Sequence, residues 1–577
     1  MKPLYKLFGA LIILNLLITT IHAETISEEI HPTTISEMTA QVIMGGNGKI
    51  NELKEGEEVK LQILTFQNNP NQKIVEIQEE LTINDKKIKP TYSYDEFDNK
   101  YVNFIITENG KFVYEIKAII ETKTEIQEIE DYEIKNFEEK IANFTTNSEK
   151  IESNSLEITT LAKNKLTQKS FLESINKTIT WVNDYVEYAK GDEFKTYYLL
   201  QKSSIETLLE KKGVCDEFAN LATAMLRANN IPTKIIIGIT FDGKEWGNHA
   251  WIETYHPKIG WIPNDPTFRE SGFVDATHIK IGAFKDITQS LAKATRPTTT
   301  NITLQTQILP KVEILEKKYF EEVEIKIKNT ELKTNQWNEL KLEITNKTNK
   351  TINTPLNLKE NYKEILMQEK NKSILLKPYE KKEVTFKLYP TIELQSNEIA
   401  KGKLTFNTLS APIIQEITIK KGDKIHEGTI IINDITPITT QKEILIDITA
   451  TNYNNNKGTI DINANNNNKN YYWSEEIAPF AKQNFRKTID NNNSKVQILV
   501  ETKNQKIEQT FYPTMQKISI KEEQKETTVI QKIEPTKDTP QNLLETLTNS
   551  PILILFAILP AIAIIIIGIL LTKKQYI

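Results

Sequence analysis

The strongest constraint on the fold is a change in the spacing of apolar residues between residues 159 and 290. On either side of this region, short segments alternate apolar and polar residues or run apolar between turn residues, which predicts β-strands. Inside it, apolar residues recur at Phe171, Ile175 and Ile179, which is the period of a helix. The chain of 577 residues therefore combines an α+β region with all-β regions, and it is long enough for several domains.

These patterns and the composition of both ends predict the domain organisation. The segments are a signal peptide (1–23), an N-terminal β-sandwich (24–125), a connector with some helix (126–158), the α+β domain (159–290), two Ig-like β-sandwiches (305–420 and 421–515), a flexible stalk (516–548), a transmembrane helix (551–571) and a cytoplasmic tail (572–577). Within the first sandwich, the dipeptide at Asn109 and Gly110 predicts a hairpin turn. The expected fold class is a multidomain chain with one α+β domain flanked by all-β sandwiches.

The two ends predict where the protein resides. Residues 1–23 have the layout of a signal peptide cleaved after Ala23, and an uncleaved N-terminal anchor is the alternative. Residues 551–571 are apolar throughout, long enough to span a bilayer, and are followed by Lys573 and Lys574. We therefore expect a single-pass membrane protein whose bulk is exported and whose C-terminus is cytoplasmic.

Composition narrows the classes of partner. The net charge of −5, without a concentrated basic patch, argues against nucleic acid binding. A single cysteine excludes an internal disulfide framework. Seven Asn-x-Ser/Thr sequons are consistent with an extracellular glycoprotein. Their asparagines are Asn143, Asn176, Asn301, Asn346, Asn349, Asn371 and Asn492.

The single cysteine lies in "KKGVCDEFANLATAMLRANNIP", residues 211–232, which predicts a helix. Gly213 allows a tight entry, and the Asn-Asn and Pro that close the segment end the helix. One apolar stripe follows the helical period. Its members are Phe218, Leu221, Ala222, Met225 and Leu226. Cys215 thus lies at the helix N-terminus, on the buried side.

That position gives Cys215 two alternative interpretations. The N–H groups of a helix N-terminus favour a thiolate and can stabilise an oxyanion. Asp216 and Glu217 oppose the thiolate, so a nucleophilic role also needs a nearby base. The alternative is a buried cysteine that behaves as a small hydrophobic residue.

A candidate base follows in "HAWIETYHPKIGWIPNDPT", residues 249–267, which predicts two strands joined at Pro257. A hairpin centred there places His249 directly opposite Asp265, with Cβ atoms about 5 Å apart. A carboxylate in that position can hold the imidazole in one tautomer while the other ring nitrogen reaches a thiolate. This pairing favours the nucleophilic interpretation of the cysteine.

The other titratable residues of the region are weaker candidates. His256 falls at the predicted turn and is expected to be solvated. His278 is a possible partner of the cysteine, but it has no carboxylate at a matching cross-strand position, which favours a structural histidine. Asp275 is expected to be a cap or turn residue, and Asp242 borders a turn without a histidine opposite it.

These segments resemble the transglutaminase-like core domain, which has a Gly-x-Cys helix start, a His-Ala-Trp strand and a Gly-Trp…Asp-Pro-Thr strand. The resemblance covers roughly residues 160–290, and multidomain, membrane-anchored microbial proteins share it. It implies a papain-like fold with Cys215, His249 and Asp265 as a catalytic triad. Trp251 and Trp261 match the family's aromatic residues and are expected to pack in the core. Asn264 stands where the family often has an apolar residue.

The resemblance implies a cysteine acyltransferase or hydrolase that acts on glutamine carboxamides or peptide bonds of cell-surface proteins through a thioacyl intermediate. An amine resolves that intermediate in cross-linking, and water resolves it in proteolysis or deamidation, so the subclass stays open. No EF-hand loop or Cys-x-x-Cys pair occurs, so no metal or cofactor is predicted. The alternative function is a catalytically silent surface scaffold or adhesion protein.

Overall fold

The computed structural model of the chain describes residues 33–130, 132, 137–168, 170–288, 291–306, 310–360, 364–422, 428–467 and 469–513. The predicted signal peptide, stalk, transmembrane helix and cytoplasmic tail lie outside the described residues. Within the described part, no helix has both the length and the apolar character needed to span a membrane.

Two antiparallel sheets form the N-terminal part and share one apolar core. The strands of the first sheet are Ile35–Asn51, Gln72–Ile83, Lys86–Ile88, Gly110–Lys123, Asn301–Thr306 and Lys311–Tyr319. Those of the second are Val59–Leu64, Thr91–Tyr94, Lys100–Ile106 and Ala292–Thr295. Alternate residues of the strand Gly110–Lys123 are buried, which is the pattern of a sheet with one face against a core.

The long first strand, Ile35–Asn51, pairs on one side with Gly110–Lys123 and on the other with Asn301–Thr306 and Lys311–Tyr319. Residues 311–319, assigned from sequence to the next sandwich, thus complete the N-terminal one. The predicted hairpin at Asn109 and Gly110 was wrong, because the strands before and after it belong to different sheets. The Asn109 side chain instead bonds both backbone groups of Leu53.

The central part consists of helices packed on one antiparallel sheet. Its α-helices are Glu139–Ala142, Leu156–Leu161, Phe171–Tyr185, Asp192–Leu200, Ser204–Glu210 and Cys215–Ala228, with a 3₁₀ turn at Asn143–Thr145 and a π-helical turn at Ala162–Leu166. The sheet order is Gly260–Asn264, Trp246–His256, Thr233–Phe241 and Ile279–Phe284. A short parallel pair joins Glu187–Tyr188 to Lys212–Gly213, just before the cysteine.

Four further sheets form two β-units, each with two sheets around its own core. The first unit contains Val323–Ile327, Glu331–Lys333, Asn338–Asn346, Ile352–Glu360, Ile365–Met367, Asn371–Leu376, Lys381–Pro390, Ile399–Thr408 and Ser410–Lys420. The second, called here the C-terminal β-unit (residues 430–511), contains Ile430–Thr439, Glu443–Asn452, Gly458–Asn466, Lys469–Ile477, Lys482–Asp490, Val496–Glu501 and Lys506–Phe511.

The C-terminal β-unit is joined to the central helices by a buried polar cluster around Asp447, which is 2% exposed. Its carboxylate accepts hydrogen bonds from the Tyr185 hydroxyl at 2.8 Å and from Arg486 Nε at 2.7 Å. It also forms an ion pair with Lys211 at 3.0 Å. Lys211 lies four residues before the cysteine, so this cluster ties the C-terminal β-unit to the entry of the cysteine helix.

One predicted glycosylation site is excluded in the folded chain. Asn346 is fully buried, and its amide group donates to the carbonyl oxygens of Lys350 and Lys377, both at 2.8 Å. Its side-chain oxygen accepts from the backbone N–H of Thr348 at 2.9 Å. A side chain with these partners fixes a tight turn and has no room for a glycan.

Candidate active site

The cysteine helix spans Cys215–Ala228, and its N-terminus is fixed by Glu217. The Glu217 carboxylate accepts hydrogen bonds from the backbone N–H groups of Val214 and Lys202, both at 2.7 Å. The position of the Glu217 side chain explains why residue 213 is a glycine, because a Cβ there would lie 2.3 Å from Glu217 Cβ. Burial raises the pKa of Glu217 to about 7. The predicted helix and its buried apolar stripe are both present.

The Cys215 side chain is 7% exposed and lies between the helix N-terminus and the strand Trp246–His256. Burial raises the pKa of the Cys215 thiol well above its usual value, and the charge of Asp216, whose Oδ1 is 3.6 Å from Sγ, raises it further. A hydrogen bond with the Ala250 backbone acts in the opposite direction but is outweighed. The resting group is therefore a thiol, and a base must remove its proton before it can attack.

The thiol contacts the backbone of Ala250, the residue that follows His249 in the strand. The neighbouring strand Gly260–Asn264 pairs with this strand only as far as Ile252, opposite Asn264. Beyond that pair, this edge of the strand is no longer covered by Gly260–Asn264, and the cysteine helix packs against the same strand.

His249 and Asp265 meet, although the predicted register was wrong. His256 pairs with Gly260, so the hairpin is centred on Lys258 and not on Pro257. Gly260 adopts φ +91°, which permits the longer turn. The shift leaves Asp265 diagonal to His249 on the same face, and His249 Nε2 lies 2.7 Å from Asp265 Oδ2.

Asp265 is a fully buried carboxylate with every acceptor position used. Its Oδ1 accepts from the backbone N–H groups of Thr267 at 2.6 Å and Phe268 at 3.1 Å. Burial raises the pKa of Asp265, but the charge and hydrogen bonds of His249 and His278 outweigh burial and hold it below its usual value. A carboxylate at Nε2 of His249 assigns the ring proton to that nitrogen, so a neutral His249 has its lone pair on Nδ1.

The His249 ring is also held from its face. The Phe268 ring stacks on it with centroids 5.0 Å apart and an interplanar angle of 14°. Within the described part of the chain, Nδ1 of His249 makes no hydrogen bond, in contrast to Nε2. This nitrogen is thus available to accept the thiol proton.

Residues 159–266 match the family model described as Transglutaminase-like superfamily. This region is a transglutaminase-like core. The match contains Cys215, His249 and Asp265, the three residues that the resemblance assigned to the triad.

Two bacterial relatives each match a short stretch of the chain. The uncharacterized protein YebA of Bacillus subtilis is 31% identical over 90 residues, which are 13% of this chain and 12% of that protein. The uncharacterized protein Rv2569c of Mycobacterium tuberculosis is 32% identical over 94 residues, which are 14% of this chain and 29% of that protein. The chain thus spans less than a third of the length of either relative.

Two solved structures are similar to this chain at low scores. A protein of Cytophaga hutchinsonii, provisionally named a cysteine protease, is 20% identical with a TM-score of 0.37 and covers 50% of this chain and 93% of its own. Red sea bream transglutaminase is 10% identical with a TM-score of 0.16 and covers 79% of this chain and 95% of its own. Both TM-scores are low, so neither structure defines the fold of the chain as a whole.

The transglutaminase-like core is extended by a residue that the sequence did not assign to the site, His278. It was predicted to lack a carboxylate partner, but its Nε2 lies 3.0 Å from Asp265 Oδ2, the oxygen that also holds His249. His278 immediately precedes the edge strand Ile279–Phe284 on the far side of the sheet. The irregular chain between Asp265 and His278 brings the two together, and such a segment has no periodic signal.

Two further carboxyl groups surround His278. Asp275, expected as a turn residue, accepts from the Thr277 backbone N–H at 2.6 Å, and its Oδ1 lies 3.5 Å from His278 Nδ1. Glu270 Oε2 is 4.0 Å from the same nitrogen. Burial and the nearby Asp275 charge raise the pKa of Glu270 well above its usual value.

The polar side-chain atoms of His249, Asp265 and His278 lie close enough together to surround a metal ion. The same holds for those of Glu270, Asp275 and His278. However, the two N···O distances at Asp265 Oδ2, 2.7 Å to His249 and 3.0 Å to His278, are those of hydrogen bonds. The described arrangement is therefore a hydrogen-bonded cluster.

His256 was expected to be solvated, which was wrong. It is fully buried, and its Nε2 bonds the Glu130 carbonyl oxygen at 2.9 Å. The rings of Tyr132 and Phe171 pack on it with centroids 4.8 and 5.4 Å away. The longer turn moves His256 into the last strand position, where it helps to join the connector to the core.

The tryptophans and Asn264 have packing roles. Trp251 is 2% exposed and meets the His278 ring edge-on at 5.1 Å, while Trp261 packs on Tyr255 at 5.2 Å. Asn264 is fully buried, and its side chain donates to the Ile262 carbonyl oxygen at 2.9 Å. Its side-chain oxygen accepts from Gly272, so its polarity is satisfied within the fold.

Proposed function

We propose that the protein is a cysteine acyltransferase or hydrolase of the transglutaminase-like type that acts on glutamine carboxamides or peptide bonds of protein substrates. The observation that carries the proposal is the 2.7 Å hydrogen bond between His249 Nε2 and Asp265 Oδ2. It leaves Nδ1 as the basic nitrogen in a strand whose next residue, Ala250, contacts the Cys215 thiol.

In the first step, the Cys215 proton moves to His249 Nδ1 as sulfur attacks the carbonyl carbon. A C–S bond forms, and the carbonyl π electrons move to oxygen. N–H groups of the first helical turn have no partner within the helix, so they can stabilise the oxyanion. Asp265 stabilises the imidazolium that results, because its carboxylate faces the ring N–H.

The tetrahedral intermediate then collapses to a thioester. The carbonyl re-forms, the C–N bond breaks, and His249 Nδ1 protonates the leaving ammonia or amine. An amine or water next attacks the thioester while His249 takes its proton, and the Cys215 sulfur leaves. Incubation with a glutamine peptide and a fluorescent amine, followed by mass spectrometry, distinguishes transfer from hydrolysis.

Cys215 should be alkylated by iodoacetamide faster than a cysteine in the unfolded chain between pH 6 and 8. The reason is that His249 accepts the thiol proton, which burial and Asp216 otherwise retain. Replacing His249→Ala should slow labelling at least about tenfold. The mass increase reports one site, because Cys215 is the only cysteine in the chain.

His256→Gln provides the matched control, because His256 is a buried histidine in the same strand but packs against the connector. Its labelling rate should stay near that of the wild type. If the wild-type protein labels no faster than its unfolded form, Cys215 is not an activated nucleophile and a scaffold role gains support.

We also propose that the enzyme is exported and held at the membrane by residues 551–571, so that its substrates are proteins at the cell surface. The apolar composition of that segment and the signal-peptide layout of residues 1–23 support this. The full chain should stay in the membrane pellet after a carbonate wash, whereas a chain ending at residue 548 should be released. Release of both would contradict a membrane anchor.

The two β-units after residue 320 are proposed to be Ig-like modules that act as spacers or docking surfaces. Their paired antiparallel sheets around separate cores support this proposal. The contacts of Asp447 with the central helices indicate that the C-terminal β-unit also has a structural role near the site.

A further inference from the structure

We propose that His278 is a positioning residue of the active site, which holds Asp265 in place for His249 and supplies a fixed positive charge behind the His249–Asp265 pair. The two imidazoles share one oxygen, Asp265 Oδ2, at 2.7 Å from His249 and 3.0 Å from His278. The inference deepens the proposed function and rests on it for the role of Cys215.

The surroundings of His278 make it a donor at both ring nitrogens. Nε2 faces the Asp265 carboxylate, while Nδ1 lies 3.2 Å from the Asp275 carbonyl oxygen and 3.5 Å from Asp275 Oδ1. These partners only accept hydrogen bonds, and Glu270 Oε2 lies 4.0 Å from Nδ1, beyond hydrogen-bond distance. An imidazole that donates at both nitrogens is an imidazolium.

The electrostatic balance agrees with this geometry. Burial lowers the pKa of His278, but the hydrogen bonds with Asp265 and Asp275 and the charges of Asp275 and Glu270 outweigh burial and raise it well above the usual value. The charged or titratable groups facing the ring are Asp265, Glu270, Asp275 and His249, whose ring centroid is 5.8 Å away.

Two consequences follow for His249. First, Asp265 has all its acceptor positions engaged, so the oxygen that bonds His249 cannot rotate away. Second, the charge of His278 partly offsets the charge of the Asp265 carboxylate that faces His249.

The first test uses histidine-selective nitrogen NMR on the Cys215→Ala protein, which removes the coupled thiol. At pH 8, the ring signals of His278 should be those of an imidazolium with both nitrogens protonated. Signals of a neutral tautomer at pH 7 would overturn the proposal. This measurement needs no change at His278, so it stands even if variants there fail to fold.

The second test compares Cys215→Ala with Cys215→Ala/His278→Gln. A glutamine amide can still donate to Asp265 but carries no charge. The Nε2 signal of His249 should shift, because Asp265 Oδ2 loses its charged second hydrogen-bond donor. An unchanged signal would show that His278 does not act on His249. His256→Gln in the same background is the matched control and should leave the His249 signal unchanged.

The outcomes separate this inference from the proposed function. A charged His278 whose replacement shifts the His249 Nε2 signal, together with a slowly labelled Cys215 in the wild type, would contradict the proposed function and leave the His278 assignment standing. Fast labelling together with a neutral His278 would contradict only the inference.

Discussion

Replacing Asp265→Asn should lower turnover of any acyl donor that the wild type accepts by about 10⁴-fold. An asparagine has one acceptor oxygen, whereas Asp265 accepts from two imidazoles on Oδ2 and from the backbone N–H groups of Thr267 and Phe268 on Oδ1. With the oxygen towards the backbone, the amide NH₂ would face two ring N–H groups. His249 would then favour the tautomer with its proton on Nδ1, which cannot take the thiol proton.

The measurement is the initial rate of amine incorporation or hydrolysis, with circular dichroism to verify folding. Asp242→Asn is the matched control, because Asp242 also borders a turn of the same sheet but accepts only from the backbone N–H groups of Lys244 and Glu245. It should retain wild-type turnover. A loss of less than about tenfold in Asp265→Asn would contradict the assignment of Asp265 as the group that orients His249.

Replacing Asp447→Ala should lower the free energy of unfolding by about 3 kcal/mol. The change leaves Lys211 and Arg486 without the buried carboxylate that pairs with both, and it removes the acceptor of the Tyr185 hydroxyl. Urea unfolding followed by circular dichroism measures the effect. A loss below about 1 kcal/mol would show that this cluster contributes little to the junction.

Asp490→Ala is the control for this change, because Asp490 pairs with Lys469 at the surface with 71% of its side chain exposed. Solvent screens an exposed pair, so this change should affect the free energy of unfolding far less than Asp447→Ala. Burial raises the pKa of Asp447, but Arg486 and Lys211 outweigh burial and hold it below the usual value. Its stabilisation is therefore present above the usual carboxyl pKa of about 4 and is lost as pH falls, so the difference between wild type and variant should shrink in acid.

The cysteine helix and the identity of its partners could be predicted because local signals define them. Gly213, the apolar stripe and the closing Asn-Asn-Ile-Pro specify the helix Cys215–Ala228. His249 lies on one strand and Asp265 directly follows the next, and the side-chain period of two residues keeps them on one face even though the register moved. The prediction that His249 and Asp265 meet depended on both residues facing the same side of the sheet, and less on the exact position of the turn.

The remaining features depend on contacts between distant segments. His278 reaches Asp265 through an irregular segment, and no periodicity predicts the path of such a chain. The helix Asp192–Leu200 has no buried residue and therefore no apolar stripe by which to recognise it. The burial of His256 depends on Glu130 and on aromatic rings from earlier parts of the chain.

The strand Ile35–Asn51 pairs with strands that are synthesised much later, which affects how the growing chain folds. Ile35–Asn51 leaves the ribosome well before Asn301–Thr306 and Lys311–Tyr319, the strands that cover one of its edges. An uncovered strand edge readily pairs with other chains, and pairing over such a separation is slow. A nascent or truncated chain that stops near residue 290 would therefore expose this edge, so the last of these strands must be translated before the N-terminal sheet is protected from pairing with other chains.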